Sequence, residues 1–473
     1  MFQSFYRTGG TLGLALTLVG CVDQQSATQG NFEPTATTPY FADDGLSNAV
    51  AVVQHPAGVY ANGKTYVTYQ GPLEDPYVAV YDHETGMWEG PVKAGNSLMG
   101  KDPNRRKPYD NHGKPTMIID DAGHIHIFFG GHGGMRDLHG ENALGNHHYG
   151  ENKHVVSVRP GDISEWEERD TITPFGTYNQ VLKMDNGDLY LFYRHGAHRS
   201  DWVYQKSQDN GRTFDPPVPF LKHKRRRDLP AVDSWYAWVE RGEDDDIIIS
   251  FDYHLCWDSD ARERGHTANR EDLYFMIFDT KSGEFRNIDD KGLPIPLTRE
   301  VAERDALVAD TGDLWSFNGT ADLDPSGHPH ILINLGPDTG VPTGGPKAPT
   351  HFRWTGKNWS NASTIGPRSA RGALDAVSDT DIHAYLGYRD ETGQGIVSRW
   401  DSENGGETFE EAKIFLKRPD AGFAITSLIN NPHPDARFIV AEKVDGSPNR
   451  RMYLIGDSGP VHRKAGLSRR SGD

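Results

Sequence analysis

Polar turns followed by short alternating apolar runs recur along the chain, and no stretch carries a long 3.6-residue helical period. Each unit opens on Asp, Asn or a Gly-containing turn and places apolar residues at alternate positions. It occurs at Asn62-Gly-Lys-Thr-Tyr-Val-Thr-Tyr69, Asp121-Ala-Gly-His-Ile-His-Ile-Phe-Phe129, Asp185-Asn-Gly-Asp-Leu-Tyr-Leu-Phe192 and Asp244-Asp-Asp-Ile-Ile-Ile-Ser-Phe251. It returns at Asp324-Pro-Ser-Gly-His-Pro-His-Ile-Leu-Ile333, Asp379-Thr-Asp-Ile-His-Ala-Tyr-Leu386 and His433-Pro-Asp-Ala-Arg-Phe-Ile-Val440. Alternation between turn residues is a strand signal, and copies roughly 55–65 residues apart, with one longer gap, point to a repeat architecture. The copies predict an all-β chain folded as a seven-bladed β-propeller over residues 46–473, with a β-sandwich plus accessory domain as the competing architecture.

A second motif agrees. Ser207-Gln-Asp-Asn-Gly-Arg-Thr-Phe214 fits the Asp-box pattern, and Ser402-Glu-Asn-Gly-Gly-Glu-Thr-Phe409 is a weaker copy with Asn404 in the Asp position. The motif predicts a tight hairpin in which the side-chain oxygen holds backbone N–H groups, and it marks fold rather than catalysis.

Composition narrows the function. The chain has 473 residues, with 52 Gly and 29 Pro consistent with many turns, and a formal net charge of −18 that argues against non-specific nucleic-acid binding. An anionic substrate would need a locally basic cleft. Residues 1–21 place Arg7 ahead of the apolar run Leu12–Val19 and end in Leu18-Val-Gly-Cys21, the pattern of a lipoprotein signal cut before a lipid-carrying Cys21. Residues 22–45 are polar and Pro/Thr-rich and read as a tether. The expectation is an exported monomer anchored to a bacterial membrane by lipid alone, facing periplasm or cell surface. Cys256 then has no disulfide partner and is either a buried thiol or a metal ligand.

Candidate chemistry concentrates in residues 109–150, which hold Tyr109-Asp-Asn-His112-Gly-Lys114, Phe129-Gly-Gly-His132-Gly-Gly134 and Asn146-His-His-Tyr149. His112 and His132 flank the second repeat strand, and His132 sits between glycine pairs, where backbone approaches a ligand closely. His124 and His126 alternate with isoleucines and read as ordinary strand residues. The next repeats offer Tyr178, then Tyr193-Arg194-His195-Gly196 at a strand terminus, then Asp233-Ser-Trp-Tyr236-Ala-Trp238, an aromatic cluster suited equally to sugar stacking and to core. One side of a propeller would present His, His, Tyr, Arg and Tyr from successive blades.

That set suits removal of the C5 proton of a uronate. A neutral His is a suitable base, Tyr can protonate the departing oxygen, and Arg neutralises the carboxylate through a bidentate fork. No paired carboxylates stand out for glycoside hydrolysis.

With these residues in place the chain resembles the ulvan lyases of polysaccharide lyase families 24 and 25, nearer to 25. The Asn-His-Gly-Lys-Pro…Gly-Gly-His-Gly-Gly stretch, the Tyr178/Arg194 spacing and Tyr236 carry the resemblance, which spans roughly residues 45–460. It implies a seven-bladed propeller that cleaves ulvan, a sulfated rhamnose–uronate polymer, by endo-acting β-elimination without an organic cofactor. It places His112 and His132 at the family's catalytic histidine positions, Tyr178 at its catalytic tyrosine, Arg194 at its neutraliser and Tyr236 in the cleft. Lys114 and His195 are expected beside the substrate. Which of His112, His132 and Tyr178 is the base stays open.

A separate cluster is His254-Leu-Cys256-Trp-Asp258, followed by His266. Alternate residues of a strand share a face, so these groups could form a four-ligand structural Zn²⁺ site, consistent with a metal site in the resembling family. Lys222-His-Lys-Arg-Arg-Arg227 could meet sulfate or uronate groups or form a solvated loop. The competing functions are a sialidase-type glycosidase, whose Phe/Tyr-Arg-Ile-Pro signature is absent, a non-catalytic surface glycan-binding propeller, and a lyase for another uronate polymer.

Overall fold

The computed structural model describes residues 38–51, 53–101, 109–261, 263–264 and 269–463, with backbone alone at 425–427. The expected signal segment, Cys21, tether residues 22–37 and His266 lie outside the described residues.

Nearly every described element is a β-strand, and among the described residues the strands form six sheets with neighbouring strands mostly antiparallel. Four sheets are simple four-stranded meanders. One runs through Thr116–Ile119, Ile125–His132, Tyr149–Ser157 and Trp166–Arg169, and the next through Thr177–Lys183, Leu189–Arg194, Trp202–Ser207 and Val218–Leu221. Two more begin at Leu314–Leu323 and at Arg371–Ala376. A seven-stranded sheet is built around Ala231–Arg241, Asp246–Trp257 and Asn269–Asp279. A nine-stranded sheet joins the N-terminal meander, starting at Gly58–Ala61, to the C-terminal one, starting at Ala421–His433, through the parallel bridge Val59↔Asn430. The first strands of successive sheets lie beside one another in a propeller-like arrangement.

Packing explains the apolar pattern. All eight residues of Ile125–His132 and all six of Leu189–Arg194 are buried, because a strand between two neighbouring sheets is covered on both faces. Outer strands such as Glu410–Arg418 (EEAKIFLKR) are largely exposed and charged, which blunts them against edge-to-edge pairing. The tether ends earlier than residue 45. Thr38 bridges Arg463, and Ala42–Leu46 pairs with Asn449–Gly456, so the chain's start completes its last meander.

The Asp-box hairpins form as expected. Asp209 accepts from the Thr213 amide (2.9 Å) and hydroxyl (2.6 Å), and Asn404 reproduces the amide contact to Thr408 at 3.0 Å. Buried histidine pairs lie in the strands packed against these hairpins, His126 Nδ1 to His154 Nε2 and His330 Nδ1 to His351 Nε2, both 2.9 Å. His126 is thus a packing residue.

One carboxyl gives the fold a pH signature. Burial, reinforced by Asp375 and Glu240, pushes Asp322 up to about 8 despite its bond from the Ala376 amide. A raised carboxyl favours folding fully below its unfolded pKa and loses that contribution as pH rises through the folded value. We expect Asp322→Asn to flatten the fall in melting temperature between about pH 4 and pH 8, measured by calorimetry; an unchanged slope would refute this.

Candidate active site

In an antiparallel meander, the start of the first strand, the end of the second and the start of the third lie at one end of the sheet. His112 precedes Thr116–Ile119, Tyr178 opens Thr177–Lys183, and His132 and Arg194 close second strands. The topology therefore delivers all four to the same end of their neighbouring sheets.

Local irregularities aim them. Gly130 and Gly131 have φ of 77° and 72°, and a Cβ at either would strike a carbonyl oxygen, that of Glu151 at 2.3 Å and that of Gly176 at 2.4 Å. Only glycine permits the kink that breaks the pairing register between Gly130 and His132 and turns His132 inward. Tyr178 itself has φ 65°, within a second register break between Thr177 and Gln180. A left-handed tyrosine inside a strand is strained backbone of the kind found at functional sites.

The His112 and His132 rings stack at 3.7 Å and 12°. Asp110, 3% exposed, joins them. Its Oδ1 accepts from the His112 amide at 2.7 Å and contacts His112 Nδ1 at 2.5 Å, while Oδ2 contacts His132 Nδ1 at 3.1 Å and accepts from the Tyr149 hydroxyl. Burial alone would raise the Asp110 carboxyl, but His112 and His132 hold it well below the usual range. As a carboxylate it only accepts, so both imidazoles must donate through Nδ1, leaving Nε2 as the lone-pair nitrogen. His132 Nε2 is buried without a hydrogen-bond partner. Burial and the adjacent His132 lower His112 to about 3, against the pull of Asp110, so it is neutral at physiological pH.

Beside the imidazoles stand two phenols and two guanidiniums. The Tyr178 ring lies 5.3 Å from His112 and 5.4 Å from Tyr236. Arg194 is fully buried, pairs with no carboxylate among the described residues, and lies over Tyr178 and Tyr236 at 4.9 and 5.2 Å. Arg270 covers Tyr236 at 3.2 Å. Burial raises both phenols, but Arg270 and then Arg194 bring Tyr236 below its usual value, whereas Tyr178 is pushed well above it by burial and by Tyr236. Tyr236 is the more acidic phenol because a cation sits directly on its ring.

The other expected residues are placed differently. Lys114 is buried and donates to the Asn111 carbonyl at 2.6 Å; burial lowers it to about 7 against the attraction of Asp110. It braces the loop that carries His112. His195 contacts Asn142 Oδ1 at 2.8 Å and stacks on Tyr193 at 5.9 Å, so it belongs to loop packing. Trp235 and Trp238 are core, leaving Tyr236 as the cleft member of its cluster. His254 and Cys256 occupy alternate buried positions of Asp246–Trp257, but Asp258 is engaged by Arg225 at 2.8 and 2.6 Å and by Arg199 at 2.7 Å. Asp258 is therefore held in ion pairs with two arginines in this structure. The basic run is likewise compensated: Lys222 and His223 contact Asp201, Lys224 pairs with Glu300, and Arg226 pairs with Asp228.

Sequence reading missed Asp110, Tyr149, His198 and Arg270. His198 places its ring 6.2 Å from His112, 6.1 Å from His132 and 5.6 Å from His254, and its Nδ1 lies 3.4 Å from the Tyr236 hydroxyl. The Asp two residues before a glycine-flanked His was a usable signal for Asp110, and Tyr149 lay in the same candidate stretch without an assigned role; nothing in the sequence marked His198 or Arg270.

His124 offers a control. Its Nδ1 lies 2.8 Å from the Ser157 carbonyl and it touches none of the site residues. His124→Ala should keep turnover within about twofold, since substitutions outside packed or catalytic networks change little; loss of activity would overturn the division of the histidines.

A propeller-like all-β fold presenting stacked imidazoles, phenols and an uncompensated buried arginine has the equipment of a polysaccharide lyase. By sequence profile, residues 142–365 match a BNR repeat-containing family. An ulvan lyase of Nonlabens ulvanivorans is 55% identical over 96% of each chain, and one from Alteromonas sp. (strain LOR) is 53% identical over 95% of this chain and 93% of its own. A solved family 25 ulvan lyase superposes with a TM-score of 0.88 at 54% identity, over 90% of this chain and 98% of that one, and was also solved bound to -[GlcA(1-4)Rha3S]-. The chain belongs to the ulvan lyases of polysaccharide lyase family 25.

Proposed function

We propose that this protein cleaves ulvan by β-elimination at its uronate residues, acting within the chain. The observation that carries the reading is the Asp110 carboxylate bridging two stacked imidazoles, with the buried Arg194 guanidinium left uncompensated nearby. Arg194 receives the uronate carboxylate and lowers the cost of charge at C5. An Nε2 lone pair of the imidazole pair takes the C5 proton, and the proton's bonding electrons become the C4=C5 double bond. The C4–O bond breaks, and the phenol pair Tyr178/Tyr236 protonates the departing oxygen. Asp110 fixes both tautomers and stabilises the imidazolium that forms. The test is the ultraviolet absorbance of an unsaturated uronate when the purified chain meets ulvan. A flat trace with retained binding would favour a glycan-binding propeller instead.

Seven blades are the architecture we infer. Dividing the nine-stranded sheet at its single parallel bridge gives two four-stranded meanders, the C-terminal one extended by the short strand Gly459–Pro460, and the succession of neighbouring first strands then returns to its start. An N-terminal strand completing the last meander supports a closed ring and a monomer. Export with a lipid on Cys21 rests on the N-terminal pattern.

A structural zinc remains a proposal. His254 and Cys256 fit it, as buried nitrogen and sulfur donors on one strand face, whereas Asp258 does not. Zinc there would tie the strand end to its following loop. Chelation and Cys256→Ser should each lower the melting temperature, by scanning calorimetry; no shift in either would remove zinc from the account.

A further inference from the structure

Arg270 is 5% exposed, with no ion-pair partner among the described residues and no hydrogen bond to its Nε. It opens the strand Asn269–Asp279, at the same end of the ring as Arg194. Arg371 opens Arg371–Ala376 at that end too, stands open to solvent, and has no ion-pair partner among the described residues. Both guanidiniums lie over the Phe317 ring, Arg270 at 4.7 Å and Arg371 at 5.0 Å. Lys347, just before Ala348–Arg353, donates to the carbonyls of Thr343 and Gly345 at 2.7 and 3.2 Å. Burial, then Arg270 and Arg371, lowers its ammonium to about 8. Asp252, the buried carboxyl within reach of Arg270, accepts from Ser316 Oγ at 2.7 Å and is pushed up to about 7 by burial, so near neutral pH it offsets only part of one of these charges.

Uncompensated cations crowded together in a chain of net charge −18 destabilise one another unless a ligand brings negative charge. Arg194 already answers the uronate carboxylate. We propose that Arg270 and Arg371, with Lys347 adding positive potential, form an anion subsite that reads a sulfate ester on the sugar next to the cleaved uronate. A planar carboxylate is satisfied by one guanidinium fork, whereas the three terminal oxygens of a sulfate ester suit donors converging from separate strands. The Phe317 ring supplies an apolar floor between the two arginines. The inference rests on the ulvan lyase reading and adds to it where sulfation is sensed.

The test compares sulfated and chemically desulfated ulvan oligosaccharides of matched length on the full chain. Arg371 is at the surface, so Arg371→Ala should fold. It should reduce the preference for the sulfated substrate, as a ratio of kcat/KM values, by about tenfold through loss of a charge-assisted bond. The change should fall mainly in KM, and Arg371→Lys should restore part of it. An unaltered preference in Arg371→Ala, or a wild-type protein indifferent to sulfation, would overturn the proposal. Calorimetric affinities for the same two oligosaccharides test the subsite independently of turnover. A sulfate-dependent affinity that Arg371→Ala abolishes would uphold the subsite even if no unsaturated product formed, in which case the lyase reading alone would fail.

Discussion

Arg194→Met should remove nearly all turnover while leaving the melting temperature at or above that of the native chain. The two effects have one cause. A guanidinium buried completely, with no carboxylate beside it, is costly in the empty protein and valuable only when a substrate anion arrives. Methionine keeps much of the volume over Tyr178 and Tyr236 but loses the charge. The carbanion-like transition state then lacks its neutraliser, and kcat/KM should fall by about 10²–10³-fold or more, the range seen when one preorganised donor is removed. Tyr236 also loses a cation that lowers its pKa, which weakens the proton donor in the same direction. Steady-state kinetics and thermal melts on one preparation decide the point. Unimpaired turnover would place neutralisation elsewhere, and a collapsed melting temperature would mean that Arg194 holds the fold together.

Asp110→Asn should be nearly as damaging, by a different route. The carboxylate takes Nδ1–H from both stacked imidazoles, whereas an amide nitrogen can only donate. At least one ring must then turn or switch tautomer, and its Nε2 no longer presents a lone pair. A loss of about 10²–10⁴-fold in kcat is expected by analogy with carboxylates that orient catalytic histidines elsewhere. The pH profile adds a readout that simple unfolding does not reproduce. Asp110 raises His112, so its removal should move any His112-dependent acid limb to lower pH. Loss of rate without a changed profile would reduce Asp110 to a packing role.

The strands were legible because their physics is local. Alternation and Gly/Asp turns located the hairpins, and Ile125–His132 and Leu189–Arg194 read as apolar because neighbouring sheets cover both faces. The Asp-box side chains hold their own backbone, so a short motif was enough. The N-terminal strand was not legible: Ala42–Leu46 (ADDGL) has almost no apolar pattern, and its pairing with Asn449–Gly456 is a contact between chain ends.

The site divides the same way. His112, His132, Tyr178, Arg194 and Tyr236 stood at strand ends or in unusual local sequence, and topology brings them together. Lys114 and His195 had the right neighbours in sequence but turn to Asn111 and Asn142. Asp258 sat at the right spacing for a ligand, yet Arg199 and Arg225 arrive from other strands and loops to claim it. Arg270 and His198 act only through long-range contacts, which no local pattern encodes.

The most direct test of the account counts bonds. Digest ulvan with the purified chain and measure, in one reaction, the unsaturated uronate formed and the new reducing ends released. Elimination by the Asp110–histidine pair creates one double bond with each cleavage, so the two counts should rise together and both should vanish in Arg194→Met. Reducing ends that accumulate without matching double bonds would mean hydrolysis, and would contradict the mechanism at its centre.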